Sequence, residues 1–277
     1  MVAAVCVWIG ILVFLYPTAA SWLSQANQSK VLQNYETAVQ SANPSRDEQL
    51  ANAREYNAAL TAGALLEVGG HVPTSTATVG PGVLPYQEQL RANQSGLMGR
   101  LRIPSIDLDL PIYHGTGDET LLRGLGHLEG TSLPVGGSGT RSVITGHRGL
   151  ASATMFTHLD QVEVGDIFSL EIFGETLTYR AIEQKIVEPD EQEALQEEPG
   201  RDLVTLVTCT PLGINTHRIL LTGERILPTP PEEEAKMGAD PTAPHFPWWA
   251  VGAGAATLIC GGYAVFATRS AIKARRQ

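Results

Sequence analysis

Apolar residues in this chain gather at its two ends, and the text between them changes period along its length. From Val2 to Leu15 there is no charge, and the apolar character runs on past Tyr16-Pro17 to Trp22-Leu23. A second uncharged run, Phe246 to Thr268, is rich in Gly and Ala, opens with Trp248-Trp249 and closes with Tyr263 and Phe266. Each comes close to the roughly 20 residues a membrane helix needs, with aromatics where the interfaces would fall. Residues 1–23 and 246–268 are therefore expected to be transmembrane segments. For the first, a cleaved signal peptide is the alternative, with Thr18-Ala19-Ala20 as a small-residue cleavage site; the lack of a basic n-region favours an anchor. Residues 269–277 carry Arg269, Lys273, Arg275 and Arg276 and no acid, which marks them as a cytoplasmic tail and puts the middle of the chain outside the cell membrane.

The exported middle divides by pattern. Residues 24–67 are polar, with Val31, Leu32, Tyr35 and Val39, then Leu50, Tyr56 and Leu60, at spacings that suit helical faces. Asn43-Pro44-Ser45 followed by Asp47-Glu48 reads as a break and a new helix start. Residues 68–97 form a loop and connector, aperiodic and rich in Gly, Pro, Thr and Ser up to Pro85. Residues 98–227 hold short β-type runs: Leu101-Arg-Ile-Pro, Leu108–Tyr113, Ser142–Thr145, Ile167–Phe173, Leu177–Val187, Leu203–Thr208 and His217–Ile226. Short helices are expected near Thr120–Leu125, Ala153–Leu159 and Glu191–Gln196. That spacing predicts a mainly-β domain, a barrel or a sandwich. Residues 228–245 read as a Pro- and Glu-rich stalk.

Charge and cysteine usage narrow the chemistry. The chain has 19 Lys+Arg against 29 Asp+Glu, and with the four tail cations set aside the exported part carries about −14. Such a surface argues against nucleic acid or anionic lipid as a partner. Of the three cysteines, Cys6 and Cys260 lie within the apolar runs and read as packed or lipid-facing residues. Cys209, in Thr-Leu-Val-Thr-Cys-Thr-Pro, has no partner for an internal disulfide, so it is an intermolecular bridge, a reactive thiol or a buried small apolar residue. With His147 after the run Ser142–Thr145 and Arg218 nine residues downstream, the set contains what a thiol acyl-transfer enzyme needs: nucleophile, proton carrier and anion stabiliser. Pro211 and Gly213 turn the chain between two strands, so three strand ends could share one cleft.

The run Thr-Leu-Val-Thr-Cys-Thr-Pro resembles the signature of the sortases, in which a Thr-Leu-x-Thr-Cys strand carries the nucleophile and an Arg follows. Leu110-Pro-Ile-Tyr-His-Gly-Thr, Gly126-His-Leu-Glu-Gly-Thr-Ser-Leu-Pro-Val-Gly-Gly, Val143-Ile-Thr-Gly-His-Arg-Gly-Leu and Asn215-Thr-His-Arg-Ile-Leu-Leu look like class C, the pilin-polymerising branch found in Gram-positive bacteria. The likeness covers about Gly99 to Ile226.

The resemblance implies a closed eight-stranded β-barrel with short helices, preceded by N-terminal helices and flanked by two transmembrane helices. It implies a cysteine transpeptidase that cuts an LPXTG-like sorting signal between Thr and Gly, holds the acyl part as a thioester and passes it to an amine. The partners it implies are pilin or surface proteins bearing that signal, an acceptor amine from a pilin lysine or a cell-wall precursor, and the membrane, with no nucleic acid. Cys209 is then the nucleophile, His147 the general acid/base and Arg218 the stabiliser. No cofactor and no metal is expected. Thr208 is a candidate to line the cleft. His217 is assigned to structure and His114 and His158 to turns and surface, while His127 and Glu129 sit in a segment that looks family-specific and that loop geometry explains equally well. Many class C sortases carry an Asp-Pro-aromatic lid over the cysteine. Here Val72 to Tyr86 has none, and Asp240-Pro241 lies in the distal stalk. Leu84 and Tyr86 are the lid candidates, and the expectation is a looser or absent lid. Anchoring to peptidoglycan, a thiol hydrolase and a non-catalytic surface module are the competing functions.

Overall fold

The computed structural model describes residues 2–60, 64–66, 73–75, 84–191 and 193–275. In chain order the first elements are α1 (Val2–Gln33), α2 (Tyr35–Gln40), α3 (Arg46–Ala59), β1 (Ala64–Leu66), β2 (Pro73–Ser75), β3 (Leu97–Ile103) and β4 (Leu108–His114). They continue with α4 (Asp118–Arg123), β5 (Leu125–His127), β6 (Thr140–Thr145), β7 (Ile167–Ile172), β8 (Glu175–Val187), β9 (Asp202–Thr210), β10 (His217–Arg225), α5 (Pro231–Glu234) and α6 (Trp248–Arg275). The chain divides into two compact units. One comprises the terminal segments up to Ala26 and from Ala243, with Ala151–Ala153; the other comprises Asn27–Leu150 and Thr154–Thr242.

In the first unit, α1 and α6 are each long and apolar enough to cross a membrane. Trp8 donates to Thr257 Oγ1 at 3.0 Å, and Trp22 donates to His245 O at 2.6 Å. The Trp22 and Trp249 rings meet edge to face, with centroids 6.0 Å apart.

The second unit is built on a closed barrel of eight strands in the order β10-β8-β7-β3-β4-β5-β6-β9, as the resemblance implied. Pairs β4–β5 and β6–β9 are parallel, and the other neighbours are antiparallel. Two rows of cross-strand apolar partners fill the interior: Ile144–Leu206–Leu221, and Leu110–Leu101–Leu170–Leu177. Nearly all of these side chains are sealed from solvent, and each is worth about 1.5–3 kcal/mol of burial. On the outer face of β6, β9 and β10, Val143, Val207 and Leu220 are buried as well, beneath Leu128 and Leu195. Burial on both faces explains why β9 reads as a continuous β-branched and apolar run rather than an alternation.

The expected helical faces of the N-terminal extension dock on the barrel. The Tyr35 hydroxyl donates to Met98 O at 2.9 Å and accepts from Phe173 N–H at 2.7 Å. Asn57 on α3 holds Leu133 by both its N–H (2.7 Å) and its carbonyl (3.0 Å).

The structure corrects four expectations. Residues 228–242 do not form a free stalk: they lie along the barrel over a buried charge cluster. Arg100 grips Asp109 with two bonds of 2.6 Å and donates to Ala239 O at 2.8 Å, while Arg102 reaches Lys236 O at 2.8 Å. Thr242 N–H donates to Asp109 at 2.9 Å. Burial pushes the Asp109 carboxyl up, but the bonds and charge of Arg100 hold it below the usual range; at Glu171 burial prevails and the shift is upward. These carbonyls and amides are what the sunken charges need once water is gone. Second, β5 follows α4 directly, where the sequence suggested only a helix to Leu125. Third, Ala153–His158 is loop and turns, with a 3₁₀ turn only from Leu159 to Gln161, and the Glu191–Gln196 region keeps a single 3₁₀ turn, Glu193–Leu195.

Fourth, His114 and His127 are not surface or loop residues. His114 is buried at the end of β4, with Nε2 2.6 Å from Gln89 O and Nδ1 2.9 Å from Gly96 O. His127 is fully enclosed on β5. Its Nε2 lies 2.9 Å from Ser132 O and so carries the proton, leaving Nδ1 as an acceptor 3.0 Å from the Tyr86 hydroxyl. The single proton of that hydroxyl is shared between Nδ1 and His127 O, 2.9 Å away, while its oxygen accepts from Gly115 N–H at 2.9 Å. Burial pushes His127 down to about 4, with the Ser132 carbonyl opposing and His114 adding to the shift.

The sign of the resulting pH dependence follows. Below the ordinary value of 6.5 the unfolded chain takes up a proton that folded His127 refuses, so stability is lost as pH falls from 6.5 toward 4. The contribution reaches about 3 kcal/mol at the acid end of that window. Urea unfolding at pH 7 and pH 4.5 should show this loss, and H127Q should shrink the difference between the two conditions. An equal difference in both proteins would remove His127 as the cause.

Candidate active site

The site is assembled by the register of β9. On one side β9 runs parallel to β6, with Thr145 paired to Val207, and Gly146 N–H adds a rung to Val207 O at 3.1 Å. His147 follows the last residue of β6, Thr145, by two positions, as Cys209 follows Val207 on β9. On the other side β10 is antiparallel, and Arg218 is the direct cross-strand partner of Cys209. Directly opposed residues share a sheet face with Cβ atoms about 4.5–5.5 Å apart. Cys209, Arg218 and the strand end leading to His147 thus lie on three adjacent strands at one rim.

Local packing explains the residue types. Gly146 has no room for a side chain: a Cβ there would sit 2.7 Å from Leu125 Cδ2 and 2.8 Å from Phe156 Cδ2. The Thr-Gly-His run is therefore a close approach of backbone to core, with the imidazole following at once. Gly149, at φ +77, lets the chain turn away beneath Leu212. Thr208 does not line the groove with Cys209. Its neighbour position on a strand of period two puts it on the opposite face, where its buried hydroxyl donates to Gly146 O at 2.7 Å.

Arg218 is only 2% exposed. Its Nη1 donates to Asn215 O at 3.0 Å and to His217 O at 3.1 Å, which offsets the cost of sinking a cation and aims the fork. His217 itself is half-exposed and meets Glu188 at 3.1 Å, in keeping with a structural role. Cys209 is 7% exposed. Burial pushes its thiol up, and the charge of Arg218 pulls it part of the way back. The net direction favours the neutral thiol.

Along the same face runs a cavity of about 440 Å³, floored by Leu220 and Thr222, walled by Val187, Lys185, Arg141 and Ala194, and rimmed by Glu183, Glu191, Glu193 and Glu198. None of the floor and wall residues was singled out from sequence; all but Ala194, which sits in the 3₁₀ turn, come from strands whose pairing only the fold reveals. Of the lid candidates, Leu84 is exposed, and Tyr86 is buried against Tyr56, His114 and His127. Residues 67–72 and 76–83, the rest of the expected lid, lie outside the described residues. No group of three or more His, Cys, Asp or Glu with metal-holding geometry occurs among the described residues.

Comparison with known proteins bears on the fold and the family. A family model described as the sortase domain matches residues 101–226. Sortase C-1 from Actinomyces oris is 44% identical, with the alignment covering 66% of this chain and 99% of that one at a TM-score of 0.59. Sortase C from Streptococcus pneumoniae is 37% identical, covering 73% and 99% at a TM-score of 0.62. Among curated proteins, Sortase D of Bacillus subtilis (strain 168) is 30% identical over 131 residues, or 46% of this chain and 63% of that protein. The chain matches less than two thirds of the length of the curated relatives, from 50% to 63%.

The electrostatics can be tested directly. Alkylation of Cys209 by iodoacetamide should still be accelerating above pH 9.0, because the thiol is raised from that value. R218M should move the profile to higher pH, since it removes the charge that favours thiolate. An unmoved profile would show that the guanidinium does not reach the sulfur.

Proposed function

This chain belongs to the sortase family, and we propose that it is a membrane-held cysteine transpeptidase that joins an LPXTG-like sorting signal to an amine. The single observation that carries this reading is the placement of Cys209 on β9 between Arg218 on β10 and the β6 end that delivers His147. The sorting signal would lie along the outer face of β9 and β10, in the cavity floored by Leu220 and Thr222. As the Cys209 sulfur attacks the Thr carbonyl of the Thr–Gly bond, its proton passes to His147. Arg218 donates to the oxyanion of the tetrahedral intermediate. Collapse breaks the C–N bond, His147 gives its proton to the departing Gly amine, and a thioester remains on Cys209. The acceptor amine then attacks the thioester, His147 takes the amine proton, and the thiol is regenerated on release of the amide.

The acceptor we favour is a pilin lysine. Class C enzymes stand among the similar structures, and the work on the Streptococcus pneumoniae protein concerns pilin substrate specificity. The two apolar helices support anchoring at both ends, with the barrel outside and the basic tail in the cytoplasm.

The test is intact-mass detection of an acyl adduct on the full-length chain in detergent, mixed with Leu-Pro-x-Thr-Gly peptides. An adduct is expected in the wild type and absent in C209A, and both H147A and R218M should slow turnover by about 10³-fold or more. Added amine should divert product from acid to amide; product that stays acid would make the enzyme a hydrolase. In cells, an isopeptide-linked ladder supports pilin as acceptor, and a single wall-linked species supports peptidoglycan instead.

A further inference from the structure

Two side-chain bonds frame the proposed His147–Cys209 pair, one residue before it and one residue after it on both strands. Before it, the Thr208 hydroxyl donates to Gly146 O at 2.7 Å. After it, Arg148 Nη1 donates to Thr210 Oγ1 at 3.0 Å. The strand register ends at Thr145–Val207, and the two bonds, 146–208 and 148–210, carry the same offset past it and bracket positions 147 and 209.

Arg148 does more than touch Thr210. Its side chain is 7% exposed, and its other donors are directed too: Nε to Thr157 O at 3.2 Å and Nη2 to Asp160 Oδ2 at 2.6 Å. The same loop returns to the histidine, where Phe156 N–H donates to His147 O at 2.9 Å. A planar guanidinium with donors in fixed directions can serve three acceptors at once, which a lysine cannot. Its position is where the two chains part, since β6 has ended and β9 is about to turn at Pro211. Without a tie there, each strand end is free to splay, and the spacing of imidazole and thiol goes with it.

We infer that Arg148 and Thr210 are positioning residues, which with Thr208 clamp the ends of β6 and β9 so that His147 stays within proton-transfer reach of Cys209. This rests on the transpeptidase reading for its consequence, though not for its geometry. A misplacement of about 1 Å between reacting groups can cost on the order of 10²-fold in rate.

The test uses the full-length chain in detergent and two readouts. The first is kcat and KM with a Leu-Pro-x-Thr-Gly peptide for T210V, T210S, R148M, R148K and the double variant R148M/T210V. T210V, R148M and R148K should each lower kcat by about 10-fold or more with KM changed by less than about 2-fold. T210S, which keeps the acceptor oxygen, should recover to within about 2-fold of wild type, and the double variant should be no worse than its poorer parent, because both cut one bond. The second readout needs no substrate: the pH profile of Cys209 alkylation, with H147A as reference. T210V and R148M should move the profile toward that of H147A. Wild-type kcat in T210V, a loss that falls in KM, multiplicative losses, or an unmoved alkylation profile would each overturn the clamp. So would identical profiles for wild type and H147A, since there would then be no pair to hold. A wild type that never turns over the peptide, yet shows the expected profile shifts, would sink the transpeptidase reading and leave the clamp standing.

Discussion

The register of β9 between its two neighbours is the constraint on which the site depends. A slip of one residue on either side would exchange Cys209 for Thr208 on the outer face, since strand side chains alternate. What prevents the slip is burial on both faces. Ile144, Leu206 and Leu221 align inside, while Val143, Val207 and Leu220 align outside beneath Leu128 and Leu195. Polar partners agree with the same alignment: Arg141 Nη1 donates to Thr205 Oγ1 at 2.8 Å, and the Thr205 and Thr222 hydroxyls lie 3.3 Å apart. A strand with one wet face could slide at the cost of half its contacts. This one would lose both sets.

Burial that fixes the register also sets the chemistry. Cys209 itself is buried, and desolvation favours the neutral thiol. Arg218 works against it, and that guanidinium can be buried because the carbonyls of Asn215 and His217 accept from it. The balance favours the neutral thiol, so on the proposed transpeptidase reading attack on a carbonyl is coupled to removal of the thiol proton. An imidazole at position 147 suits that task, because such a group ordinarily titrates near neutrality and can return the proton to a leaving amine. On the same reading, the spacing of the two matters more than the ionisation of either alone.

How much of this could be read from the sequence depended on range. The barrel strands were legible where β-branched and apolar residues dominated four or more positions, as in Leu203–Thr208 and Ser142–Thr145. Leu125–His127 was not, because three residues carry no period. Cys209, His147 and Arg218 stood out through their motifs, whereas the cavity along Val187, Leu220 and Thr222 exists only once β8, β10 and β9 are side by side. His114 and His127 were misread because a polar ring can be sunk if distant groups satisfy it, and those groups are Gln89 O, Ser132 O and the Tyr86 hydroxyl. The Pro/Glu-rich segment was misread for the same reason: its composition speaks of a loop, and the partners that pin it, Arg100, Asp109 and Glu171, lie more than sixty residues away in sequence.

Topology supplies the last link between fold and site. Only two neighbouring pairs in this barrel are parallel, and one of them is β6–β9. An antiparallel neighbour would place its end at the opposite rim from the end of β9. A parallel neighbour brings two C-terminal strand ends to one rim, which is where open α/β sheets also gather their ligands. The cost is a long crossover: the chain leaves β6 at Thr145 and enters β9 at Asp202, building β7 and β8 on the way. Part of that crossover is then turned to the site's use, since the residues after His147 fold back through Phe156, Thr157 and Asp160. The final strand, β10, is antiparallel and starts where β9 stops, so the turn between them is short enough to hold Arg218 opposite Cys209. One parallel and one antiparallel neighbour are thus both required, and a barrel of hairpins alone could not bring these three strand ends together.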